Sequence, residues 1–149
     1  MDRQVSLKEL LFSETATRLG IDNTPTDQIL FNLQTLIHEV ITPIVNHFGD
    51  IKITSGYRSP ALCKAIGSSE RSQHTSGMAC DFEVLGVSNQ EVSLWIVQNL
   101  EFDQCILEYW SPENPNSGWI HCSYNKSGGN RKMYLRAYKA NGRTVYEVL

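Results

Sequence analysis

Three side chains in this sequence have the types and spacing to hold a metal ion. His74 and Asp81 share the segment Ser72-Gln73-His74-Thr75-Ser76-Gly77-Met78-Ala79-Cys80-Asp81, and His121 follows in Gly118-Trp119-Ile120-His121-Cys122-Ser123. Two neutral imidazole nitrogens and one carboxylate oxygen suit zinc, with a fourth position left open to water. Taken singly, each residue also has an ordinary explanation. Asp81 reads as a solvated strand charge. His121, set between apolar residues, reads as a hydrogen-bonded structural histidine, because a buried ring without a partner is costly. Spacing alone leaves both readings standing. His38 and His47 fall between the apolar positions of a long helix and are expected at its surface, with no catalytic role.

The elements that must position these residues can be read from periodicity. Ala79 to Val84 alternates as a strand, with Ala79, Asp81 and Glu83 on one face and Cys80, Phe82 and Val84 on the other. The second set makes a core face, so Asp81 points away from it, toward whatever the His74 loop covers. Strands are also expected at Ile51–Thr54, Gln104–Trp110, Trp119–Tyr124, Met133–Tyr138 and Arg143–Val148, the last two joined by the turn signal Asn141-Gly142.

Capping boxes open helices at Ser6-Leu7-Lys8-Glu9 and at Ser88-Asn89-Gln90-Glu91, the latter running to about Asn99. A short helix covers Glu14 to Leu19. From Thr26, apolar residues from Ile29 through Leu33, Leu36, Val40 and Ile44 to Phe48 draw one stripe down a long helix, which Pro43 is expected to kink or restart. Residues 59–76 read as an irregular loop with a helical turn at Ala61–Ile66. The fold class is α+β: N-terminal helices packed on a small, largely antiparallel sheet, in a single domain over residues 1–149.

Composition narrows the functions. Thirteen Lys and Arg against sixteen Asp and Glu give a net charge of −3, so no basic field exists to neutralise phosphates, and no nucleic-acid partner is expected. No run approaches the roughly 18 apolar residues of a membrane span, so no membrane insertion is expected. The four cysteines, Cys63, Cys80, Cys105 and Cys122, are scattered and read as reduced, mostly buried thiols. The first residues lack the basic start and apolar stretch of a secretory signal. The expected address is therefore the cytoplasm of the producing cell before release, or a phage particle, and the expected state is a monomer.

Ser72-x-His74-x-x-Gly77-x-Ala79-x-Asp81, followed by Gly118-Trp119-Ile120-His121, resembles the zinc D-alanyl-D-alanine carboxypeptidase family. That family includes phage endolysin-type peptidases that cut peptidoglycan stem peptides. Ser55-Gly56-Tyr57-Arg58-Ser59-Pro60 is similar to the segment before its first zinc ligand, and the likeness extends from Thr15 to the final hairpin.

The resemblance implies the hedgehog-like fold of these carboxypeptidases and a zinc ion held by His74, Asp81 and His121. It implies a peptidoglycan stem peptide as substrate, with Arg58 contacting a substrate carboxylate or the polarised carbonyl. Many relatives carry a Glu or Asp three residues before the last histidine, where this chain has Gly118. The catalytic base is then expected at Glu108, whose apolar neighbours would raise its pKa, with Glu113 as the alternative. The rival function is a zinc-stabilised wall-binding or virion structural module that does not turn over substrate.

Overall fold

The computed structural model describes residues 4–149. Met1, Asp2 and Arg3, on which the expectation about a leader partly rests, lie outside the described residues. Two short helices open the chain, α1 (Leu7–Leu11) and α2 (Glu14–Leu19). Ser6 stands at the N-cap of α1 but its side chain makes no capping bond there, so the expected capping box is not formed as such. Ser13 does cap α2, accepting from the Ala16 N–H.

The long apolar stripe forms α3 (Asp27–Leu36) and α4 (Thr42–Phe48), joined without a break by a π turn over Ile37–Ile41. In that turn the Thr42 N–H reaches back to the Ile37 carbonyl. The α-helix restarts at Thr42, so Pro43 falls in its first turn, the restart expected there. A proline ring has no N–H and crowds the carbonyl four residues back, and the wider π turn just before it absorbs both defects. The extra residue in the turn also sets the downstream phase. Val40, Ile41, Ile44 and Val45 are all buried, two pairs four residues apart that carry the apolar face through the turn and on into α4.

The remaining elements are β1 (Ile51–Ser55), α5 (Pro60–Ala65), β2 (Ala79–Val84), α6 (Asn89–Asn99), β3 (Gln104–Glu108), β4 (Trp119–Ser123), β5 (Met133–Ala140) and β6 (Arg143–Val148). All six strands share one sheet in the order β1-β2-β4-β3-β5-β6. Every pairing is antiparallel except β3 with β5, which is parallel. Within residues 59–76 the helical turn expected at Ala61–Ile66 is α5, and a 3-10 turn over Gln73–Ser76 follows it.

The two faces of the sheet differ sharply. One carries Cys80, Phe82 and Val84 of β2, Ile120 and Cys122 of β4, and Cys105 and Leu107 of β3. They pack with Leu33, Leu36, Val40 and Ile44 of the long helix and with Val92 and Ile96 of α6. Each such fully buried aliphatic side chain contributes about 1.5–3 kcal/mol, so this face anchors the sheet. All four cysteines are buried and free. The opposite face holds Asp81 and His121. Among the described residues no helix is long and apolar enough to cross a membrane.

Where β1 leaves the sheet, Gly56 passes directly against α1. The Tyr57 N–H donates to the Leu10 carbonyl at 2.8 Å, and a Cβ on Gly56 would fall inside van der Waals contact of that carbonyl. Backbone on both sides leaves no flexible atom to give way. Gly56→Ala is expected to lower stability by about 1–3 kcal/mol, the usual cost of overpacking, as a reduced midpoint in urea unfolding with an unchanged slope.

Candidate metal centre

Asp81 on β2 and His121 on β4 are directly paired in the antiparallel ladder. His74 arrives from the 3-10 turn, whose start is fixed by the Ser72 hydroxyl accepting the His74 N–H at 3.2 Å. Asp81 Oδ1 lies 3.2 Å from His74 Nε2 and 3.1 Å from His121 Nδ1. The three residues are buried and can each offer a ligand atom, with all these atoms within 4.8 Å of one another. His38 and His47, in contrast, are exposed on the long helix, His47 stacked on Trp95.

The partners of the two rings decide which nitrogens are free. His74 Nδ1 donates to the Gly56 carbonyl at 2.7 Å. A carbonyl only accepts, so Nδ1 carries the proton and Nε2 presents its lone pair toward Asp81. His121 is set by a longer chain of bonds. Arg131 grips Asp103 through Nε at 2.9 Å and Nη2 at 2.8 Å, and Asp103 Oδ2 accepts from Gln73 Nε2 at 2.8 Å. The carboxylate thus fixes the Gln73 amide, whose Oε1 faces His121 Nε2 at 3.2 Å. His121 therefore donates from Nε2 and keeps Nδ1 free. Two neutral imidazole lone pairs and one carboxylate oxygen meet at a single point, a donor set that fits zinc.

Electrostatics follow from these bonds. Burial acts to raise the Asp81 pKa, but when the rings carry a proton toward it, as metal-free imidazoles can, the hydrogen bond from His121 and the neighbouring His74 outweigh burial and hold the carboxyl far below its usual range. Arg58 takes the second oxygen, with Nη2 3.3 Å from Asp81 Oδ2, while its Nε donates to Ser55 Oγ at 2.9 Å. Asp103 is lowered chiefly by its Arg131 bond.

A cleft of about 730 Å³ opens over this cluster, lined by Arg58, His74, Asp81, Glu108 and His121 among others. Burial pushes the Glu108 carboxyl above the ordinary carboxylate range; His121 and Arg58 oppose this, and Asp81 adds to it. Glu113 is exposed, hydrogen-bonded to Ser111, and lies outside the cleft lining. At the position where relatives carry a carboxylate, Gly118 has φ +68°, and a Cβ there would strike the Glu108 carbonyl. A side chain at 118 is thereby excluded, while Glu108, paired with Trp119 across the ladder, presents its own to the cleft.

Five of the six candidates thus gather in one place, and Glu113 stands apart. Gln73, Asp103 and Arg131 are participants that sequence reasoning missed. Gln73 could have been noticed as the polar neighbour of His74, but nothing in the spacing ties it to Asp103.

The family model for peptidase M15 matches residues 3–123. The chain belongs to that family of zinc peptidases, and its mixed sheet-and-helix architecture agrees with membership. A comparison with curated proteins returns no match.

Two outcomes follow from the bond chain. Gln73→Leu removes the acceptor for His121 Nε2, and zinc affinity measured by chelator competition is expected to fall about 10–100-fold. For Asp103, a folded pKa below the unfolded value means that its stabilisation is complete above the unfolded pKa and lost as pH falls through the folded one. The stability gap between wild type and Asp103→Asn, measured by chemical unfolding, should be widest near neutrality and close below about pH 4.

Proposed function

We propose that this protein hydrolyses amide bonds in peptidoglycan stem peptides, using zinc held by His74, Asp81 and His121. The observation that carries the reading is the convergence of His74 Nε2, Asp81 Oδ1 and His121 Nδ1 beneath an open cleft that also contains a half-buried carboxylate. Zinc, when bound, supplies a Lewis acid that polarises a carbonyl and acidifies a water, whose pKa falls to about 7. Glu108 takes the proton from the attacking water and returns it to the leaving amine. Its raised pKa suits that task, since a carboxylate nearer neutrality is a stronger base toward the water and holds the proton until the leaving amine takes it. Arg58, already fixed by Ser55 and Asp81, holds a substrate carboxylate or the developing oxyanion with its remaining N–H groups.

The stem-peptide assignment is supported by family membership and by this cation beside the centre, because stem peptides end in free carboxylates. Residues 1–149 would act as one domain, as a monomer, in a phage lysis or virion context. The rival reading, a zinc-stabilised wall-binding module, drew its support from the missing carboxylate at 118. Glu108 supplies one from the neighbouring strand.

The test combines metal analysis with digestion of purified cell walls. His74→Ala, Asp81→Ala and His121→Ala should each release zinc and abolish hydrolysis, and stability should fall with the metal. Stoichiometric zinc in all three variants would rule out the ligand set. Glu108→Gln should keep zinc and fold while kcat drops by about 10²–10⁴, the range of general acid–base catalysis. Glu113→Gln serves as the control and should be nearly silent. Zinc without turnover in the wild type would favour the module.

A further inference from the structure

The cleft does not end at the metal centre. On its face of the sheet, Asp81, His121, Ile106, Leu135 and Val148 form one transverse row, each paired with the next across five strands. Trp119, Glu108, Ala137 and Tyr146 form the adjacent row. Ile106, Leu135 and Ala137 make a small apolar cluster separate from the main core. The cleft lining follows these rows from Asp81 and His121 over Ile106 and Leu135 to Tyr146. Its far end is therefore built by β5 and β6, which lie beyond residue 123, where the family match stops.

Tyr109 shapes one wall of this extension in an uncommon way. Its φ is +56°, a left-handed conformation that bulky residues rarely adopt. Three contacts hold it there. Its N–H donates to the Ala137 carbonyl at 2.7 Å, its hydroxyl meets Thr144 Oγ1 at 3.0 Å, and its ring centroid lies 5.3 Å from that of Trp119. Two of those contacts come from the β5–β6 hairpin. Backbone held in such regions gathers where a ligand is gripped. Beside this wall Tyr146 is 58% exposed, an aromatic ring left open at the far end of the cleft.

We propose that the β5–β6 hairpin is a subsite for an extended peptide: the substrate segment on the amino side of the scissile bond crosses β3 and β5 and packs on Leu135 and Tyr146 against the Tyr109–Trp119 wall. The proposal rests on the peptidase reading and names the kind of peptide it takes. Direction follows from charge. With Arg58, on the β1–β2 side of the centre, taking the substrate carboxylate, the amino-side segment leaves toward β6. Reach follows from geometry. His121 on β4 is three strand spacings from β6, about 14 Å at about 4.8 Å each, which an extended chain at about 3.4 Å per residue covers with roughly four residues. A dipeptide leaves the hairpin untouched, whereas a substrate with four residues before the scissile bond engages it.

The test uses acetyl-D-Ala-D-Ala and an acetylated pentapeptide ending in D-Ala-D-Ala, assayed on wild type, Tyr146→Ala and Tyr146→Phe with zinc content and melting checked for each. The wild type should prefer the pentapeptide in kcat/KM. Tyr146→Ala should reduce that preference about tenfold, through KM for the pentapeptide, and Tyr146→Phe should restore it. Equal effects on both substrates, or no change in the preference, overturn the proposal. So does sensitivity confined to peptides lengthened at the carboxyl end. Calorimetric binding of both peptides separates this from the fate of the activity. If the wild type cleaves nothing yet binds the pentapeptide more tightly, and Tyr146→Ala removes that difference, the subsite stands and the peptidase reading falls. If binding shows no length dependence, the subsite falls.

Discussion

A buried carboxylate, Asp81, dictates the arrangement of everything polar on the open face of the sheet. A charge so placed is tolerable only with its lone pairs fully engaged. One oxygen is shared by His74 and His121 and the other is taken by Arg58. Those partners are anchored in turn. The Gly56 carbonyl orients one imidazole, Gln73 the other, and the Ser55 hydroxyl the guanidinium. The close passage of Gly56 against α1 belongs to the same requirement, because it positions the carbonyl that sets the His74 tautomer. A metal cation at this point would meet two ring lone pairs and a carboxylate oxygen that are already gathered around it.

The centre is stiff because its supports arrive from different parts of the chain. Asp81 and His121 sit on neighbouring strands whose other side is packed against the long helix and α6. His74 is carried by a short turn, but that turn is tied through Gln73 to Asp103 at the start of β3, and Asp103 to Arg131 before β5. The loop histidine is thereby coupled to the sheet at a distance from its own ladder. Little freedom remains for the ligands to drift apart when nothing is bound between them.

Much of this was legible in the residues themselves. The alternation in Ala79–Val84 assigned Asp81 to the face opposite the core, and the apolar flanks of His121 demanded a partner for it. The cap at Ser88 and the Asn141-Gly142 turn are local signals, and local signals survive folding. What was hidden depended on register between distant segments. No periodicity indicates that β5 pairs in parallel with β3, since both strands read alike in isolation. The bond chain from Arg131 to His121 spans residues whose polarity looked ordinary. The apolar neighbours of Glu108 already favoured it over Glu113, but only its pairing with Trp119 brings it beside the cleft. The Ser6 box failed for the opposite reason: a correct pattern at a helix start does not compel the side chain to close it.

The π turn before Pro43 has a consequence for how this chain can change length. A regular helix turns by about 100° per residue, so gaining or losing one residue swings everything downstream onto a different side. Here the surplus residue is already present at Ile37–Ile41, with buried residues on both sides of it, Leu33 and Leu36 before and Ile44 and Val45 after. The helix behaves as two cams on one shaft, phased separately against the same sheet. Losing one residue at that turn converts it to an ordinary α turn and costs only the phase of α4. The same loss within α3 unseats Leu33 and Leu36 as well. The joint is therefore where the helix can best absorb a change in length.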